Sequence, residues 1–270
     1  MSNSAKWIKI MVQDPRGGMG RLRAGWDRRQ DRNAWRRIGV APQEFYRASP
    51  NPEQRLHELL GVPWPCPEYA ECETIIQKMN REFGFGEDFR KDDSTSALRF
   101  FDADVTISRM AWCVTRHLTP ERTIETGVAR GVTSRFLLEA IKCNGVGKLW
   151  SIDLPHSDTY HQIGSAVPEN LRKSWKLILG SSQQRLPELL RSVGTIDLFV
   201  HDSLHTSRNV RFELDSAWGR LRPGGVILMD DVHENLGLQS FVQKVQAKDW
   251  VVGQKLFVNG LWGAIVKPAR

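Results

Sequence analysis

The sequence predicts a doubly wound α/β domain with a mostly parallel sheet, ending in an antiparallel hairpin and preceded by a mostly helical and irregular N-terminal extension. Three observations carry this. After Pro120, short apolar runs of strand length alternate with amphipathic stretches of helix length, the pattern of successive βαβ units. A Gly-rich turn, Gly127-Val128-Ala129-Arg130-Gly131, stands where the first strand hands over to a helix. Three later runs end in or lead into acids, at Asp153, Asp202 and Asp230-Asp231. Ligands of such sheets bind outside the carboxyl ends of the strands.

Residues 1–50 hold 11 Lys/Arg against 4 Asp/Glu, and residues 51–270 hold 27 of each sign, so the whole formal charge of +7 lies in the first fifty positions. Arginines interspersed with Trp26, Trp35, Phe45 and Tyr46 could hold phosphates or bases. The favoured reading is a basic arm that packs its aromatics on the main domain or on a second subunit and leaves its arginines in water. Nucleic acid is then not the expected partner, and a homo-oligomer stays open. Pro50, Pro52, Pro63, Pro65 and Pro67 mark an irregular wrap, with one short helix around Leu56, Leu59 and Leu60. This divides the chain into an arm and wrap (1–68), a helical cap (69–119) with helices over 69–83 and about 96–117, and the α/β domain (120–270).

Strands are expected near 122–126, 148–153, 175–179, 196–201 and 224–230. A helix over about 206–221 puts Val210, Leu214, Ala217, Trp218 and Leu221 on one face, with Thr206 or Ser207 as its cap and Pro223-Gly224-Gly225 as its end. Residues 250–266, turning at Asn259-Gly260, read as the hairpin. The apolar run at 8–12 is broken by Gln13, Asp14 and Arg16 too early for a signal peptide, and no run approaches the ~20 residues of a membrane span. Cytoplasm is the expected compartment, with no membrane partner. Cys66, Cys72, Cys113 and Cys143 show neither the paired spacing of a zinc site nor the density of a disulfide scaffold, and are expected as partly buried free thiols.

Glycines in the first turn let backbone approach a ligand closely. Their Gly-x-x-x-Gly spacing differs from the Gly-x-Gly-x-x-Gly of dinucleotide sites, which weighs against a dehydrogenase. Asp153, about 20 residues on, is placed to accept ribose hydroxyls. Glu125-x-Gly127-x-x-x-Gly131-x-Thr133 resembles the first motif of the class I S-adenosylmethionine (SAM)-dependent methyltransferases, with Asp153 at their ribose-binding acid. Gly180-Ser181-Ser182-Gln183, followed by Leu186-Pro187-Glu188-Leu189, is similar to the adenine-contacting segment of the catechol and caffeoyl-CoA O-methyltransferases. The resemblance runs from about 122 to 266. It implies a Rossmann-like methyltransferase sheet and SAM as cofactor, held by Glu125, Gly127, Gly131, Thr133 and Asp153, with Ser182 and Gln183 at the adenine edge.

If the strands before them are neighbours, Asp202, Asp230 and Asp231 converge. Carboxylates that close repel unless a cation or protons intervene, and hard oxygen ligands favour Mg²⁺. In the metal-dependent O-methyltransferases that the chain resembles, the same three positions ligate the ion, with Asp-Asn at the later pair. Three residues after the first ligand those of the catechol type carry lysine, where this chain has His205. That substitution is similar to a bacterial Asp-x-Asp-His group that includes sugar O-methyltransferases. An imidazole near its ordinary pKa can take a proton at neutral pH, so His205 is the expected general base, with His233 second and His201 structural. The implied function is Mg²⁺-dependent methyl transfer from SAM to a hydroxyl of a small molecule, a sugar, glycosylated natural product or phenol. The alternatives are a metal-independent methyltransferase of RNA or protein, and a SAM-binding relative that transfers no methyl group.

Overall fold

Strands of a parallel sheet are buried on both faces and need apolar side chains at consecutive positions. The runs Leu198-Phe199-Val200 and Val226-Ile227-Leu228-Met229 supply them. The computed structural model describes residues 15–83, 105–154, 162–256 and 258–269. Seven strands form one sheet: β1 (Arg122–Thr126), β2 (Lys148–Asp153), β3 (Trp175–Leu179), β4 (Ile196–His201), β5 (Leu221–Met229), β6 (Trp250–Gln254) and β7 (Leu261–Val266). Their order is β3-β2-β1-β4-β5-β7-β6, with β7 antiparallel to both of its neighbours. Helices α1 (Pro15–Ile38), α2 (Pro42–Tyr46), α3 (Pro52–Leu60), α4 (Tyr69–Phe83) and α5 (Thr106–Leu118) precede the sheet. Helices α6 (Val132–Asn144), α7 (Ser182–Val193), α8 (Ser207–Trp218) and α9 (Gly237–Val245) lie between its strands in sequence.

Alternate residues of one strand enter different cores, as the two-residue period requires. Phe199, Ile227 and Met229 pack with Leu190, Leu214 and Phe241 of α7, α8 and α9. Leu198, Val200, Val226 and Leu228 pack with Met110, Val114, Leu137 and Ile141 of α5 and α6.

The first four expected strands lie where the sequence put them. β5 begins earlier than expected and takes in Pro223-Gly224-Gly225, and α8 stops at Trp218. Thr206 caps α8, its side-chain oxygen accepting the Asn209 N–H at 3.4 Å. The hairpin forms, but residues 255–260 connect its strands, closed by the Lys255 N–H donating to the Gly260 carbonyl at 2.9 Å. Asn259-Gly260 is thus the end of a longer connection. The helix expected over 96–117 is α5, and positions 96–104 lie outside the described residues. Among the described residues no helix is long and apolar enough to cross a membrane.

The arm packs part of its aromatic content inward. Trp35 meets Phe45 edge-on at 5.3 Å between ring centroids, and the buried Tyr46 hydroxyl donates to the Asn235 carbonyl at 2.7 Å. Trp26 stays exposed.

Strand register decides which residues reach the ligand-binding edge together. Thr126 pairs with Ile152 and with His201, His201 with Met229, and Asp153 with Leu179. Gly127, Asp153, Gly180, Asp202 and Asp230 therefore stand in one row. At Gly127 the φ of +85° is compounded by crowding, since a Cβ there would overlap the Asp202 carbonyl oxygen. Gly145, with φ +71°, has nothing within 4 Å of a Cβ. Gly127→Ala is expected to destabilise by on the order of 3 kcal/mol or more, from strain plus displaced backbone, whereas Gly145→Ala should lose about 1 kcal/mol. Denaturant unfolding of the two variants checks this.

Candidate functional site

The turn after β1 is held from beneath by backbone. Gly131, at φ +86°, faces Gly164, whose Cα would be 3.0 Å from an added Cβ. The Gly164 N–H donates to the Ala129 carbonyl at 3.0 Å and the Ala166 N–H to the Arg130 carbonyl at 2.8 Å. Asp153 holds the turn from the neighbouring strand, its Oδ2 accepting the N–H groups of Val128 and Ala129 at 2.7 and 2.8 Å. Its Oδ1 takes part in neither bond. Burial raises the Asp153 pKa, and the two N–H donors work against that rise.

Glu125 and Thr133 sit behind the turn. The fully buried Glu125 accepts the Ser134 and Ser151 hydroxyls on Oε2 at 2.6 and 2.7 Å, tying β1 to α6 and β2. Burial pushes its carboxyl up to about 8 against those two donors. Thr133 Oγ1 lies 3.1 Å from Ser108 Oγ of α5. Ser182 and Gln183 open α7, and both reach Asn209 Oδ1 of α8, at 3.4 and 3.5 Å.

On the other side of β1 the edge is acidic. Asp202 follows β4; Asp230 and Asp231 follow β5, Asp231 with a left-handed φ of +46°. Lys255, from the hairpin connection, puts its Nζ 2.7 Å from Asp230 Oδ1 and 2.7 Å from Asp231 Oδ1, with its side chain 7% exposed. Burial works against the ammonium, but the two aspartates outweigh it and raise the lysine pKa. Burial first, then the Asp202 charge, pushes Asp230 up to about 7 in spite of Lys255. His205 stands between the other carboxylates, Nε2 3.6 Å from Asp202 Oδ1 and Nδ1 3.4 Å from Asp231 Oδ2. Burial would lower its pKa, but Asp202 and Asp231, with Asp230 beyond, raise it to about 9.

Beneath this edge a second buried acid is satisfied in full. Glu213 of α8 lies 2.6 Å from His201 Nδ1 and accepts the Thr126 and Ser203 hydroxyls at 2.5 and 2.7 Å and the Asn209 amide at 2.9 Å. Burial opposes its charge, yet His201, and then the Ser182 and Thr126 hydroxyls, hold it down at about 2. His201 is fully buried in this pairing. His233 accepts the Leu261 N–H on Nδ1 at 3.1 Å, which occupies one ring nitrogen, and burial lowers its pKa.

Residues 124–232 match the family model described as a methyltransferase domain. Over those residues the chain is similar to that family. Its fold is shared with the O-methyltransferase TomG from Streptomyces achromogenes, involved in tomaymycin synthesis and solved in complex with SAM (18% identity, 70% of this chain and 86% of that one, TM-score 0.50). It is shared likewise with an O-methyltransferase from Bacillus cereus in complex with SAH (16% identity, 72% and 97%, TM-score 0.51) and with cofactor-bound Rv0187 from MTB (15% identity, 76% and 99%, TM-score 0.52). No curated protein matches the chain.

The three aspartates reach one edge of the sheet, as the sequence implied, but Mg²⁺ does not fit them as they stand. The Lys255 ammonium already takes the contacts with Asp230 and Asp231 that a shared cation would need. Among the described residues, the acid and imidazole ligand atoms that lie within 4.8 Å of one another here are those of His205, Asp231 and Glu234. Lys255, Glu213 and Glu234 escaped the sequence reading. A lysine at the start of a hairpin connection and a glutamate on an amphipathic helix both read as solvated, and only tertiary placement shows otherwise.

Two outcomes follow from the charges. The His205 imidazole should titrate with a midpoint near 9 by NMR; because its folded pKa lies above the ordinary 6.5, its stabilising contribution is complete below about pH 6.5 and disappears as pH rises through 9. Lys255→Met should destabilise by on the order of 3 kcal/mol at pH 8, where unpaired buried carboxylates remain, and by clearly less at pH 5, where Asp230 takes a proton. Denaturant midpoints at the two pH values test it.

Proposed function

We propose that the chain is a SAM-dependent O-methyltransferase that methylates a hydroxyl of a small molecule, a sugar, glycosylated natural product or phenol. The observation that carries this is the shared row: the Gly127–Gly131 turn with Asp153 on one side of β1, and His205 between Asp202 and Asp231 on the other. The SAM and SAH complexes of two structures with the same fold support the cofactor. In this reading Gly127, Gly131 and Asp153 hold the cofactor, Ser182 and Gln183 flank its adenine, and Glu125 and Thr133 brace the turn.

The hydroxyl is oriented toward the sulfonium methyl and loses its proton to His205 in its neutral form. Asp202 and Asp231, 3.6 and 3.4 Å from the ring, stabilise the imidazolium that results. Lys255 supplies the counter-charge for Asp230 and Asp231, and no step here runs through a metal. A divalent cation would enter by displacing Lys255, or at His205, Asp231 and Glu234.

Calorimetry should show SAM binding, weakened by roughly 1–3 kcal/mol in Asp153→Ala. No binding by the intact chain would end this reading. Over a panel of hydroxyl acceptors, His205→Ala should lose on the order of 10²–10⁴-fold in rate while still binding SAM. Because only the neutral imidazole accepts a proton, kcat/KM should rise with pH and level off near 9. Turnover should survive EDTA; its loss, restored by Mg²⁺, would return the counter-charge to a metal.

A further inference from the structure

Away from the sheet edge, four side chains that the methyltransferase reading does not use meet in one buried cluster. His57 comes from α3, Cys66 from the Pro-rich connection to α4, and Cys113 and His117 from one face of α5, four residues apart. The His57 Nδ1 lies 2.7 Å from the Glu53 carbonyl oxygen. A carbonyl only accepts, so Nδ1 carries the proton and Nε2 presents a lone pair. His57 is 1% exposed, and its Nε2 has no hydrogen-bond partner. A buried acceptor left unpaired is unfavourable and calls for an explanation. Cys66 Sγ lies 3.4 Å from His117 Nε2 and 3.1 Å from Cys113 Sγ, and the ligand atoms of His57, Cys66 and His117 all lie within 4.8 Å of one another.

We propose that His57, Cys66, Cys113 and His117 bind a structural zinc ion. Two sulfur and two imidazole ligands are a tetrahedral zinc set, and the backbone carbonyl on His57 Nδ1 is the outer contact that orients a ligating histidine. With Zn–S of about 2.3 Å and Zn–N of about 2.0 Å, tetrahedral ligands stand about 3.5 Å apart for sulfur and nitrogen and about 3.8 Å for two sulfurs. The Cys66–His117 separation fits as it stands. Cys113 Sγ lies outside the set whose ligand atoms are all within 4.8 Å of one another, so its side chain turns toward the histidines, opening from Cys66, to complete the tetrahedron. At 3.1 Å the two sulfurs are well beyond the S–S bond of about 2.05 Å.

The site is closed, with four protein ligands and no position for substrate, so its role is to staple. It joins α3 and the Pro-rich connection to α5, whose Met110 and Val114 cover one face of the sheet. The staple would hold the extension on the domain independently of what the sheet edge catalyses.

The test uses the full-length chain purified under reducing conditions. Elemental analysis should find a single zinc ion per chain that survives dialysis. Exchange for Co²⁺ should give the visible d–d bands of a tetrahedral site and sulfur-to-cobalt charge transfer from two thiolates. Cys66→Ser and His57→Ala should lose the metal, and Cys143→Ser, at an exposed thiol outside the cluster, should keep it. Since the first two variants can fail to fold, the cobalt spectrum of the unmodified chain decides. Reduced protein with neither zinc nor a tetrahedral cobalt spectrum would overturn the proposal, as would a Cys66–Cys113 disulfide in a non-reducing peptide map of the purified chain.

Discussion

The parallel sheet brings its strand ends into one row, and that row is crowded with acid. Glu125, Asp153, Asp202, Asp230 and Asp231 lie at or just behind the same edge, and Glu213 reaches it from α8. Like charges so close cannot all ionise unless each finds compensation, and the structure compensates them by different means. Glu125 is pushed toward its neutral form and takes two hydroxyls. Asp153 takes two backbone N–H groups, and Glu213 is matched to His201 and three further donors. Asp230 and Asp231 share the Lys255 ammonium. The pair left facing a titratable group is Asp202 and Asp231, with His205 between them, which is why proton transfer is argued from that point of the edge.

Charge compensation also ties the extension to the domain. Asp31 of α1 accepts the Ser207 N–H at 3.0 Å, Trp35 Nε1 donates to the Glu234 carbonyl at 3.2 Å, and the Tyr46 hydroxyl donates to Asn235. These residues flank His205 and Asp231 in sequence. The arm thus braces the turns that carry the acidic edge, while its exposed arginines contribute the chain's charge excess. The cysteine and histidine cluster links the next stretch of the extension to α5, which packs on the other face of the sheet.

The elements themselves were largely legible in the sequence. Two-residue and 3.6-residue periodicities survive without knowledge of partners, so four of the five parallel strands, α4 over 69–83 and the cap at Thr206 follow from local pattern. Boundaries that depend on neighbours did not. β5 extends back through Pro223-Gly224-Gly225 because its partner β4 continues there, its Ile196 pairing with Leu221. The hairpin connection is longer than an Asn-Gly turn requires, and its first residue, Lys255, reaches two carboxylates.

By itself the sequence determined which residues end the strands, since a strand's length and its terminal Gly127, Asp153, Asp202 and Asp230 are properties of one segment. It also determined that an acidic edge needs a counter-charge. Only the tertiary structure decided what supplies that charge, because Lys255 lies 24 and 25 positions from its partners and no local rule relates them. The same holds for His57, Cys66, Cys113 and His117. Their spacing matches no local zinc pattern, and they become neighbours only when α3 and α5 are laid against each other on the sheet.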